Sequence, residues 1–201
     1  MQKNLCLAFF GLFCLCLSSL TAADKRLINV EMVTGRAYWK TAQKSPYILK
    51  PGKLSYAAGL TILTIFDGQC FFSLGPEMEV RMKQDSLVVL RNNFIEIRKG
   101  TVGIAYASQE QNLSVFSPHA DFEIASGTVV IKSNPALSRI SIIKGSAYVV
   151  NKRQKDKLLL TAGEELAAGS GMYSKIYKQT AELRYSWYWV DPSKEPSLQS
   201  E

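Results

Sequence analysis

Five glycines, Gly35, Gly68, Gly100, Gly127 and Gly145, share one apolar frame. The residues five and three before each, and two and four after, are apolar in all twenty cases. They are Val30, Met32, Ala37 and Trp39; Leu63, Ile65, Cys70 and Phe72; Ile95, Ile97, Val102 and Ile104; Phe122, Ile124, Val129 and Ile131; Ile140, Ile142, Ala147 and Val149. In a chain that is 47% apolar, about nine of twenty would be so by chance. If each glycine and its predecessor form the centre of a two-residue turn, the residue three back faces the one two ahead. All four side chains then lie on one face of a hairpin, and glycine supplies the positive φ of a primed turn. Asp67-Gly68 has the strongest turn chemistry, and Lys99-Gly100 and Lys144-Gly145 suit bulged turns.

The position four back, Glu31, Thr64, Glu96, Glu123 or Ser141, belongs to the opposite, solvated face. Tyr38, Phe71 and Tyr148 break that polarity and point to a second covered layer. A lone hairpin is marginal in water, so the units must stack or pair to bury their apolar sides. The expectation is an all-β domain over residues 28–168, a β-solenoid-like or twisted sandwich of stacked short hairpins. Pro51-Gly52 offers a sixth turn, and the segment about Gly163 reads as a capping strand, because Glu165 takes an inward slot there. Arg91 to Asn93, Ser108 to Asn112, Ser133 to Pro135 and Asn151 to Lys157 read as loops. Beyond Gly171 the period changes, with Ile176, Leu183, Trp187 and Val190 at spacings of seven, four and three. This predicts a short helical cap over 172–190, with Pro192 and Pro196 leading into a flexible tail, 191–201.

Lys3, the apolar run Leu5 to Leu20 and the small residues Thr21, Ala22 and Ala23 match a secretory signal over residues 1–23. The run is shorter than the roughly 20 residues that span a bilayer, so cleavage after Ala22 or Ala23 without stable membrane insertion is expected. Neither Cys14, after Phe13, nor Cys16, after Leu15, follows the small residue a lipid acceptor needs. Removing 23 residues from 201 leaves 178, enough for a core without metal or disulfide. Cys70 is then left without an intrachain partner, and its neighbours Phe71 and Phe72 predict burial. The basic balance, +7 overall, suits anionic envelope surfaces, while nucleic acid is not an expected partner in an exported chain.

Catalytic constellations are missing from the pattern. His119, the single histidine, has no ligand spacing toward Cys70 or any carboxylate, so neither metal nor cofactor is expected. His119 and Asp121 lack a Gly-x-Ser-x-Gly elbow, and Glu77 with Glu79, or Glu164 with Glu165, reads as ordinary surface. The candidate binding residues are aromatic: Tyr38 on the wet face of the first hairpin, and Tyr185, Trp187, Tyr188 and Trp189 near the C-terminus. The terminal group suits either recognition or closure of an open sheet edge. Lys152, Arg153, Lys155 and Lys157 form a basic loop, solvated or facing an anionic polymer.

Several motifs fall in the order found in the FecR domain family of bacterial envelope proteins, which the chain resembles over residues 28–168. They are Gly35-Arg36-Ala37, Leu49 to Leu54 with Pro51-Gly52 inside, Asp67-Gly68, Phe116-Ser117-Pro118, Ser126-Gly127-Thr128, Gly145-Ser146-Ala147 and Leu160 to Glu164. The resemblance implies a non-enzymatic periplasmic module that relays a signal, as in iron-uptake regulators, through protein–protein contacts. The anti-sigma and transmembrane segments of those regulators do not precede the domain in this sequence, so sigma-factor control is not carried over. The expected partner is an envelope protein or an anionic envelope polymer, in a periplasmic setting. A cell-wall glycan-binding or glycan-cleaving protein is the alternative.

Overall fold

The computed structural model describes residues 26–42, 44–56, 59–92, 94–108, 110–152, 157–169 and 177–178. Its strands run in order as β1 (Arg26–Lys40), β2 (Tyr47–Ile48), β3 (Gly52–Tyr56), β4 (Leu60–Leu74), β5 (Met78–Met82), β6 (Leu87–Leu90), β7 (Phe94–Tyr106), β8 (Leu113–Phe116), β9 (Ala120–Ser133), β10 (Leu137–Asn151), β11 (Lys157–Thr161), β12 (Glu164–Gly169) and β13 (Tyr177–Lys178). No helix occurs among the described residues. Within the expected cap, 172–190, only β13 is described, and it is a strand pairing with β12. The expected signal, 1–23, and tail, 191–201, lie outside the described residues.

The repeated glycines do not sit at hairpin turns. Each lies inside a strand of 13 to 15 residues: Gly35 in β1, Gly68 in β4, Gly100 in β7, Gly127 in β9 and Gly145 in β10. The strand bends there and carries on, so its two halves pair with different neighbours. The first half of β4 pairs with β6 and its second half with β5. β7 does the same, its first half on β6 and its second on β5. The path β4–β5–β7–β6 therefore closes on itself as a four-stranded barrel, from which β1, β2 and β3 extend on one side and β8 to β13 on the other. The stacked short hairpins, solenoid or twisted sandwich, expected from sequence are thus replaced by long bent strands around a closed barrel; all-β composition holds. We call the side carrying β6 the β6 wall and the side carrying β5 the β5 wall.

Parity explains why the frame fits both architectures. Positions three before and two after a glycine are five residues apart, so in a regular strand they face opposite ways. A two-residue turn brings them to one face, and so does a bend that wraps the strand around a core. Sixteen of the twenty frame residues are buried, and Met32, Trp39, Leu63 and Ile65 are half-buried. At Gly68 the irregularity falls two residues early: Phe66 takes the positive φ, 53°. The first half of β4 therefore turns Leu60, Ile62 and Thr64 inward and Leu63 and Ile65 outward.

Gly127 and Gly145 show what the bend requires. They are ladder partners with φ of 130° and 80°. A Cβ on Gly145 would overlap the Ser126 carbonyl, and one on Gly127 the Lys144 carbonyl. Two backbones cross at a separation that leaves no room for a side chain. The core is one continuous apolar cluster, from Ile28 to Ala168, that includes Cys70. Its thiol is fully buried, as the sequence predicts, and desolvation pushes its pKa far above the usual thiol range.

A buried polar spine fixes the barrel where β4, β6 and β7 meet. Thr64 N–H donates to Ser86 O at 2.9 Å, and Ser86 N–H to Thr64 Oγ1 at 3.0 Å. The Ser86 hydroxyl donates to Thr101 O at 3.1 Å and accepts from Thr101 N–H at 3.0 Å. Thr64 and Ser86 are fully buried, so these bonds satisfy groups that water cannot reach.

Candidate protein-interaction face

Outside the β6 wall, the strands near the polar spine present an apolar strip in place of the expected wet face. Ile48, Tyr38, Leu63 and Leu87 are successive ladder partners across β2, β1, β4 and β6. Ile65 lies beside them, paired with Arg36. Inward neighbours of these residues, Ala37, Ile62, Thr64 and Val88, are buried, which leaves the strip on the outer face. Ile48 is 65% exposed, and Tyr38, Leu63, Ile65 and Leu87 are half-buried. Single exposed apolar residues are ordinary; a contiguous set across four strands marks a contact surface.

Phe66 stands at the end of the strip, 69% exposed, with a φ of 53° that a bulky side chain adopts only under constraint. Its N–H donates to Asp85 Oδ1 at 3.2 Å, and Asp85 itself has a φ of 55°. The Arg36 guanidinium lies 5.9 Å from the ring centroid. An aromatic ring is thus held outward by a strained backbone and cemented from behind by the spine. Strain of this kind costs on the order of 1–3 kcal/mol and concentrates at functional positions. At the free edge, Tyr47 stacks on Trp39 with centroids 5.2 Å apart, and β2 is only two residues long, which limits strand addition there. Cations rim the strip: Arg36, Lys40 and Lys99, the last paired with Leu87.

The rest of the β6 wall is ionic outside. Lys157 Nζ lies 2.7 Å from Glu123 Oε2 and 4.4 Å from the Tyr148 ring, and Lys152 pairs with Asp121 at 3.3 Å. His119 Nε2 meets Pro135 O at 2.9 Å, so His119 and Asp121 are each engaged elsewhere. Glu164 accepts from Thr161 N–H and Oγ1, at 2.7 and 3.1 Å, and closes a turn. Glu165, next to it but buried, accepts from the Ser141 hydroxyl and pairs with Arg139 at 3.1 Å. The two carboxylates therefore do not converge. Among the described residues no group of three or more His, Cys, Asp or Glu is placed to hold a metal ion. A cavity of 330 Å³ opens where β4 turns into β5, lined by Arg26, Glu77, Arg91 and Tyr106 among others.

Of the aromatic residues predicted from sequence, Tyr38 falls in the strip; Tyr185, Trp187, Tyr188 and Trp189 lie outside the described residues. Sequence reasoning missed Phe66, Ile48, Leu63, Ile65 and Leu87. A signal for three of them was present: from Leu60 to Phe66 apolar residues occupy both parities, as in a strand with two covered faces.

No family model matches the chain, and no curated protein matches it. Among the solved structures that match are two crystal structures, at 1.65 and 2.50 Å resolution, each described as a "putative anti-sigma factor" from Parabacteroides distasonis. The TM-scores are 0.55 and 0.56, with 13% and 14% identity over 66% and 67% of this chain. This chain spans 65% of the length of each of those chains. At that identity, what this chain shares with those structures is the fold alone.

Proposed function

We propose that this chain is a non-enzymatic, exported binding module that works through protein–protein contacts. The observation that carries the reading is Phe66, an exposed aromatic ring at a strained backbone position, continuous with the apolar strip through Tyr38 and rimmed by cations. Exposed aromatic anchors of this kind dominate interface energetics. The partner surface is an apolar pocket with carboxylates around it, facing Arg36, Lys40 and Lys99. The fold-level likeness to proteins described as anti-sigma factors, and the motif order of the FecR domain, support a role in relaying an envelope signal; that support is analogy. The signal-like N-terminus supports an extracytoplasmic, periplasmic setting.

Crosslinking and pull-down from the native envelope tests this, using the wild type beside Phe66→Gly and Tyr38→Ala. Each substitution should weaken recovery of a protein partner at least tenfold while circular dichroism stays unchanged. Capture that is indifferent to both substitutions, or recovery of glycan instead of protein, refutes the reading.

A further inference from the structure

β4 and β7 each bend back on themselves, so each brings its two ends to the same opening of the barrel. β7 lines that opening with Phe94 and Ile95 from its start and with Tyr106, its last residue. β4 contributes Leu74, its last residue, while its first, Leu60, pairs with Leu90 of β6, which also lines the opening. Met78 of β5 completes the ring as ladder partner of both Leu74 and Tyr106. All four barrel strands therefore meet around one cavity of 330 Å³. That volume is at the small end of the roughly 300–1,000 Å³ of ligand pockets, and the mouth of a β-barrel is one of the places where such pockets form.

The floor of the cavity is apolar and its entrance is polar. Leu90, Ile95 and Leu113 belong to the core cluster, whereas Arg91, Asn92, Gln111 and Asn112 are exposed. Two guanidiniums, Arg26 at the start of β1 and Arg91 in the turn from β6 to β7, stand against one carboxylate, Glu77, so the described lining carries a net +1. Neither arginine forms an ion pair among the described residues. Arg91 is positioned by its turn: its N–H donates to Phe94 O at 3.0 Å, and its side chain crosses Gly59, where a Cβ would come within 3.0 Å of Nη1. The Tyr106 hydroxyl is committed to Gln111 O at 2.8 Å, which leaves the two guanidiniums as the charged donors for a ligand. We propose that this mouth binds a small organic acid, its carboxylate held by Arg26 and Arg91 and its short apolar body lying against Leu90, Ile95 and Leu113. The planar fork of a guanidinium matches a carboxylate, and a net +1 suits a monoanion. Phe66 is six residues from Leu60 and eight from Leu74 along β4, at the bend, so the mouth is at the other end of the barrel from the ring. The inference stands or falls separately from the proposed function.

Isothermal titration calorimetry of the full chain with octanoate tests it, beside octanol, which has the tail without the charge, and inorganic phosphate, which has charge without the tail. Octanoate should bind, and octanol and phosphate should bind at least tenfold more weakly. Arg26→Gln and Arg91→Gln should each weaken octanoate at least tenfold while urea unfolding stays unchanged. Asn112→Trp, which fills the entrance from an exposed position, should abolish the binding, and it decides if either arginine change lowers the urea midpoint. Failure of octanoate to bind, binding indifferent to both arginines, or equal binding of octanol or phosphate overturns the inference. Tighter binding of a peptide ending in a free leucine carboxylate than of octanoate assigns the mouth to a protein terminus and overturns it too.

Discussion

Gly145→Ala and Gly163→Ala form a matched pair that separates two costs of a glycine bend. Both positions have positive φ, 80° and 89°. At Gly163 an added Cβ meets nothing within 4 Å, so only the conformational term applies, about 1–2 kcal/mol for an L-residue in the left-handed region. At Gly145 the same Cβ overlaps the backbone carbonyl of Ser126, which is held in the β9–β10 ladder and has no rotamer to escape into. Displacing packed backbone adds about 1–3 kcal/mol, giving a total of roughly 2–5 kcal/mol. A difference of 1–3 kcal/mol between the variants corresponds to about 2–4 °C in Tm per kcal/mol for a domain of this size. Urea titration followed by far-ultraviolet circular dichroism measures it directly. Equal midpoints for the two variants would refute the argument that crossing backbones, rather than φ alone, demand glycine.

Thr64→Val keeps the shape but removes the acceptor of Ser86 N–H, leaving a buried donor unpaired; a loss of about 1–3 kcal/mol in urea unfolding is expected. Burial holds the Cys70 thiol protonated in the folded chain, whereas the unfolded thiol ionises near pH 8.5. The sign follows: stability is full below about pH 8.5 and falls above it by up to about 1.4 kcal/mol per pH unit, a slope that Cys70→Ala should reduce. Tyr56, also raised by desolvation, adds to the fall only above about pH 10, so measurement between pH 8 and 9.5 isolates the thiol. Phe66→Gly relieves a left-handed phenylalanine, and its stability should equal or exceed the wild type by up to about 1 kcal/mol. A clear loss of stability there would mean the ring is a structural element.

Much of the fold was legible because burial leaves a two-residue period wherever one face of a strand meets the core. All of Ile95, Ile97, Val102, Ile104, Phe122, Ile124, Val129 and Ile131 are buried as the frame requires. Connectivity was not legible. A bend and a turn impose the same parity change, and what separates them is whether the second half of β4 finds β5 while the first finds β6, a choice made by partners far along the chain. The candidate face was hidden by the same degeneracy. Leu63 and Ile65 fit the inward frame about Gly68, but Phe66 absorbs the irregularity and reverses them. Tyr38 was found because it broke the polar pattern without depending on the frame.

The two walls, alike in their inner faces, differ in what their outer faces require. On the β6 wall the strip combines partly exposed apolar side chains with a strained ring that stays 69% exposed although the Arg36 guanidinium lies over it; such features persist when they serve a contact made outside the fold. On the β5 wall an outward row holds Arg81 and Glu165 at a few percent exposure. Burying charges there is tolerable because each has a partner: Glu79 at 3.9 Å and the Phe71 ring at 4.7 Å for Arg81, and Arg139 with Ser141 for Glu165. Paired charges on one wall and exposed hydrophobes on the other are opposite solutions for an outward-facing surface, and the second is the one that a partner would relieve. Substitutions on the two walls should therefore act independently, Phe66→Gly on binding and Glu165→Gln, which weakens the pairing with Arg139, on stability in urea unfolding. Coupling between them, measured as altered partner capture by Glu165→Gln with unchanged urea unfolding, would mean that the β5 wall takes part in the contact.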